Sequence, residues 1–252
     1  MALGMRSANP ALSQKTFEQA GPIGAAGAMT IQGTVNKTGL MLLCVAATAA
    51  YTWTQAMRQP DNPAAAVPYL LGGAIGGFIV ALVTIFKKEW SPFTAPIYVL
   101  LEGLFLGAIS AFFEIRYPGI AVQAVGLTFG TLFALLLAYK SGVIRATENF
   151  KLGVVAATGG IALLYVTTIV LGFFGIQVPK IYESGPIGIA FSLFVVVIAA
   201  LNLVLDFDFI ESGAAAGAPK YMEWYAAFGL MVTLIWLYLE ILRLLAKLRD
   251  RR

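Results

Sequence analysis

The chain has 252 residues, of which 59% are hydrophobic and 12% charged, with a formal net charge of +4, one cysteine and no histidine. A soluble domain cannot hide that much apolar surface, so the composition places the chain among polytopic membrane proteins. The lone Cys44 excludes an internal disulfide framework. Without histidine a zinc site has almost no ligands, so any metal would be an oxygen-ligated ion such as calcium or magnesium.

Residues 1–38 read as a polar, flexible cytoplasmic arm, with Asn9, Pro10, Ser13, Lys15 and Glu18 and without the apolar stretch of a cleaved signal. Residues 39–252 read as a transmembrane domain. Its apolar runs at 40–57, 68–86, 95–113, 119–139, 152–175, 186–210 and 223–246 are each long enough to cross about 30 Å of hydrocarbon as a helix. Helices are the expected form because backbone groups in lipid must be satisfied within the segment. Charged or Pro/Gly-rich stretches separate the runs, as at Lys87 to Pro92 and Lys180 to Pro186.

With the amino terminus in the cytoplasm, the arm and the loops after spans two, four and six carry nine basic residues: Arg6, Lys15, Lys37, Lys87, Lys88, Lys140, Arg145, Lys151 and Lys220. The intervening loops carry Arg58, Arg116 and Lys180. This imbalance favours amino terminus inside, while the basic tail "RLLAKLRDRR" would then lie outside unless one segment is re-entrant. Gly72, Gly73, Gly76 and Gly77, Gly103 and Gly107, and Gly126 and Gly130 predict close helix packing. Trp53, Trp90, Trp224 and Trp236, with Tyr51, Tyr139 and Tyr221, are expected as interfacial anchors.

Three carboxylates within the spans stand out because a charge at mid-membrane costs on the order of 3 kcal/mol even on the most forgiving scale. At about 100° per residue, Gly188, Ser192, Val195, Ala199, Asn202 and Asp206 share one stripe of span six. That small, polar stripe should face protein, which makes Asp206, with Asn202 one turn away, a candidate interior titrating group. Asp208 points nearly the opposite way and, like Glu211, is expected at the headgroups. On span seven, Ala226, Gly229, Thr233, Trp236 and Glu240 share a face continued by Lys247; Glu240 also has Arg243 three residues on, the spacing of an ordinary helix pair. Glu102 lies within span three without a basic residue within two turns, so it must be protonated or find a partner on another helix.

In order along the chain, "YVLLEGLFLGAIS", "AVQAVGLTFG", "TENFKLG" and "LYLEILRLLA" resemble the Bax inhibitor-1 (TMBIM) family of membrane proteins over residues 40 to 248. The resemblance implies an all-α seven-transmembrane-helix bundle with the C-terminal helix central. It also implies a pH-sensitive calcium leak governed by an aspartate on the sixth helix paired with one on the seventh. Asp206 matches the sixth-helix position, with Asp208 the runner-up. The seventh-helix pattern, laid on residues 230 to 245, puts Thr233 where the second aspartate belongs and Trp236 where an asparagine belongs. Glu240, the next carboxylate on that face, is two turns away, about 10 Å along the axis, so the simple dyad is broken or rearranged.

The function expected is therefore a pH-responsive cation leak or exchange, with calcium or protons as candidates, across a bacterial inner membrane. Its gate would be Asp206, with Glu240 or Glu102 as a remote partner. The alternative is a non-transporting protein that modulates membrane stress or a membrane protease, with the arm as docking segment. An enzyme is not expected: paired-acid hydrolysis needs two carboxyls within reach of one water, and the chain has no phosphate-binding loop, dinucleotide fingerprint or serine elbow. No cofactor and no nucleic-acid partner are implied, since the basic excess lies where anionic lipid would meet it.

Overall fold

The computed structural model describes residues 27–60, 62–175 and 183–251; most of the predicted arm, and Lys180, lie outside the described residues. Seven helices are long and apolar enough to cross a membrane: α1 (Ile31–Met57), α2 (Val67–Phe86), α3 (Ser91–Arg116), α4 (Ile120–Lys140), α5 (Glu148–Phe173), α6 (Pro186–Ala215) and α7 (Met222–Asp250). No strand occurs among the described residues, only an isolated bridge between Ala28 and Pro219.

α1 begins at Ile31 rather than at residue 40, inside the stretch read as arm. Thr30 caps it, its hydroxyl accepting from the Gly33 amide at 2.9 Å. The buried Thr34 and Thr38 donate to the carbonyls of Thr30 and Thr34, one turn back. Hydroxyls satisfied this way let a helix of modest hydropathy enter an apolar setting. α3 likewise starts early, because Pro92 sits in its first turn, where a missing amide hydrogen costs nothing. At the other end of α3, Glu114 accepts from the amides of Gly119 and Ala121, at 2.6 and 3.1 Å, and so caps α4 across a turn in which Gly119 takes φ 82°.

The contacts divide the chain into two compact units. One comprises Val122–Asp208 with 233–251, that is α4, α5, most of α6 and the latter part of α7; the other comprises 27–121 with Phe209–Val232. In the second, α3 packs on α1 and α2 through glycines. A Cβ at Gly103 would lie 2.6 Å from the Val45 carbonyl oxygen, and one at Gly73 2.6 Å from that of Leu101. At Gly107 it would meet the backbone of Ala49. Gly126 and Gly130 differ: both are exposed, an added methyl would meet nothing within 4 Å, and α4 turns Ala124, Thr128 and Leu132 inward instead. Small residues four apart permit close approach without imposing it.

In the first unit, Ile161, Val195 and Ile198 form a core against which Tyr165, Phe191 and Trp236 pack. Trp236, partly buried, thus packs on this core and is not an interfacial anchor. It lies about 21 Å along α7, too deep for a headgroup position. The basic tail is also structured. Lys247 is buried, donating to the Gly188 carbonyl at 3.1 Å and to Ser192 Oγ at 2.9 Å; Arg249 reaches Gln123, and Ser184 donates to Asp250. α7 is the most deeply buried helix, 67% of its most apolar stretch against 11% for α5.

Candidate functional site

The stripe expected on α6 is buried throughout: Ser192, Val195, Ala199, Asn202 and Asp206 are all 3% exposed or less. Its residues are small or polar, and in the first half of α6 the bulky Leu193, Phe194 and Val197 are exposed beside it, whereas from Asn202 to Phe207 the helix is buried all round. Three inward positions of α7, Thr233, Glu240 and Lys247, are buried as well.

Asp206 is fully enclosed, and neither carboxyl oxygen has a hydrogen bond of ordinary geometry. The Thr233 hydroxyl on α7 stands beside it. An enclosed carboxyl without a cation or a full set of donors is rare, since buried polar groups are normally paired. One turn away, Asn202 donates to Thr158 Oγ at 2.9 Å and to the Ile198 carbonyl at 2.8 Å. Its amide is therefore fixed between α5 and α6, next to an acid that is not.

Glu240 does not share a site with Asp206. Arg243 Nη1 donates to both of its oxygens, at 3.0 and 3.1 Å, and Tyr165 donates to Oε1 at 3.0 Å. Arg243 Nη1 also donates to the Tyr165 hydroxyl at 2.9 Å, closing a triangle between α5 and α7. Glu240 makes the i,i+3 pair its spacing suggests, with its own side chain only 2% exposed while the Arg243 side chain is 39% exposed, so the carboxylate is buried and its cation reaches the surface.

Asp208, expected at the headgroups, does not simply meet solvent. Lys151 Nζ lies 2.7 Å from its carboxylate and 3.5 Å from Glu148, and the lysine side chain is only 8% exposed. Lys151 is therefore not a loop charge: it lies in the first turn of α5 with its cation turned inward. Nothing in the sequence marks this, because pairing across helices leaves no local spacing signal.

In the second unit, Glu102 is partly buried against α2: a Cβ at Gly77 would lie 2.6 Å from its Oε1. A further acid carries no signal in the sequence pattern. Glu223, in the first turn of α7, has no exposed side-chain surface and accepts from the Thr30 amide (2.9 Å), the Thr30 hydroxyl (2.8 Å), Lys220 (2.7 Å) and Lys37. It ties the start of α1 to the start of α7. Among the described residues no group of three or more acidic or cysteine side chains is placed to hold a metal ion.

Seven apolar helices, with acids buried among them and either enclosed or paired, define an integral α-helical membrane protein. A model of the Bax inhibitor 1 like family matches residues 9–250, and the chain belongs to that family. No curated protein matches the chain, and no solved structure does.

Proposed function

We propose that the protein is a pH-responsive cation leak, calcium being the foremost candidate ion, in a bacterial inner membrane with its amino terminus in the cytoplasm. Asp206 is the group that gates it. The observation that carries this reading is the enclosed Asp206 carboxyl, held among helices without a cation or well-formed hydrogen bond. An acid so placed can exchange a proton for a passing cation without first breaking an ion pair. Thr233, where the family pattern has a second aspartate, supplies an oxygen but no charge. The site therefore works as a single acid, and its contact with an ion is weak. Calcium held tightly takes six to eight oxygens, whereas conduction requires binding weak enough to release. We read Glu240, locked by Arg243 and Tyr165, as structural support for the path rather than as a partner of Asp206, and we assign no hydrolytic step to either.

The test is calcium entry into proteoliposomes containing the purified chain, measured across a range of pH. The expected result is a pH-dependent flux that Asp206→Asn reduces by about tenfold, the equivalent of ~1.4 kcal/mol in barrier, and whose pH response disappears. Thr233→Asp, which restores a second carboxylate beside Asp206, should shift the pH response without abolishing flux. Unchanged flux and pH response in Asp206→Asn would remove the proposal.

A further inference from the structure

The polar groups of α5, α6 and α7 in the unit formed by Val122–Asp208 and 233–251 fall into levels along the helix axes. Asp208 pairs with Lys151, Asp206 meets Thr233, and Asn202 holds Thr158. Further along, Glu240 joins Arg243 and Tyr165, and Lys247 holds Ser192 and the Gly188 carbonyl. The two sets are not continuous. From Leu193 to Leu201, α6 presents only apolar side chains; Asn202 and Ser192 are ten residues apart, about 15 Å along the axis. Ile161, Val195 and Ile198 fill this interval, with Trp236 packed against them.

We propose that this apolar level, made by Ile161, Val195, Ile198 and Trp236, is the closed hydrophobic gate of the cation path. The proposal rests on the reading of Asp206 as the governing acid and adds where the path is shut. An ion moving from the Asp206 and Asn202 level toward Glu240 meets only apolar side chains in this cluster. A narrow apolar segment excludes water, and a cation cannot shed its hydration shell where nothing replaces it. Trp236 lines this level from α7. It is only partly buried, its bulk stands where the family pattern has an asparagine, and it sits on α7 one turn from both Thr233 and Glu240. Opening the level, by moving this ring together with the Val195 and Ile198 side chains it packs on, would join the two polar sets.

The test compares wild type, Val195→Thr, Ile198→Ser and Ile198→Val in calcium-flux assays on proteoliposomes. The two polar variants should raise flux about tenfold or more, which is ~1.4 kcal/mol of barrier, and Ile198→Val should leave it near wild type. Unchanged flux in both polar variants, with monodisperse elution in detergent, overturns the gate. A second readout does not depend on conduction. In a Cys44→Ser background, Ile198→Cys should resist a small cationic methanethiosulfonate reagent that rapidly modifies Val143→Cys, a position 80% exposed. Equal rates at the two positions would show a wetted level and overturn the proposal. Failure of the Asp206 reading looks different: Asp206→Asn then matches wild type, whatever the gate variants do.

Discussion

Two buried acids, Asp206 and Glu223, are enclosed to the same degree and supplied with donors very differently. Glu223 accepts from four donors on Thr30, Lys37 and Lys220, so its charge is compensated where it stands and its role is to hold. Removing that charge leaves two ammonium groups competing for one amide oxygen. Breaking a buried pair costs about 3–5 kcal/mol, and because Lys220 is 54% exposed the lower end applies. Glu223→Gln should therefore lower thermal stability in detergent by the equivalent of about 3 kcal/mol, while Asp206→Asn, which removes no formed pair, should leave it unchanged or raise it. A thermal-shift measurement on the two variants separates them; equal destabilisation would mean that Asp206 is structural. At this scale the candidate site was partly legible. The α6 stripe follows from helical periodicity alone, and the structure buries each of its members. The pairs Lys151 with Asp208 and Tyr165 with Glu240 were not legible, because residues so far apart in sequence meet only through helix packing.

At the scale of elements, helix packing depends on which glycines meet backbone. Gly107 of α3 faces the backbone of Ala49 on α1, so a methyl there must push one helix away from the other. Overpacking of this kind costs about 1–3 kcal/mol. Gly107→Ala should destabilise the protein by that amount in a thermal-shift assay. Gly126→Ala, on an exposed part of α4, should be neutral or stabilise by up to ~1 kcal/mol through helix propensity. Sequence spacing ranks the two glycine pairs alike, since the pattern of small residues says what can approach and not what does. Helix number and position were legible because a long apolar run has few alternatives in lipid. The start of α1 was not, as Thr34 and Thr38 look polar in sequence but spend their hydroxyls on their own helix.

At the scale of the whole molecule, seven helices are long and apolar enough to cross, and seven full crossings would put the two ends of the transmembrane region on opposite sides of the bilayer. The basic residues that orient such a chain are those near its span ends, and docking of the C-terminal turns changes that count. Lys247 donates to Gly188 and Ser192 inside the fold, and Arg243 is engaged by Glu240 and Tyr165. Both charges are therefore spent on the protein and weigh less in orientation than loop lysines at the surface, such as the exposed Lys87 and Lys140. The same holds on the other side of the count, where Lys151 and Lys37 are engaged by Asp208 and Glu223, so the orientation rests on the remaining surface cations and amino terminus inside is a proposal that labelling decides. In a Cys44→Ser background, a cysteine at Gln32 should react with a membrane-impermeant thiol reagent only in inverted vesicles, and one at Arg251 only from outside in intact cells. Labelling of both from the same side would mean an even number of crossings. The charge argument would then fail at α7, which would have to enter the membrane without traversing it.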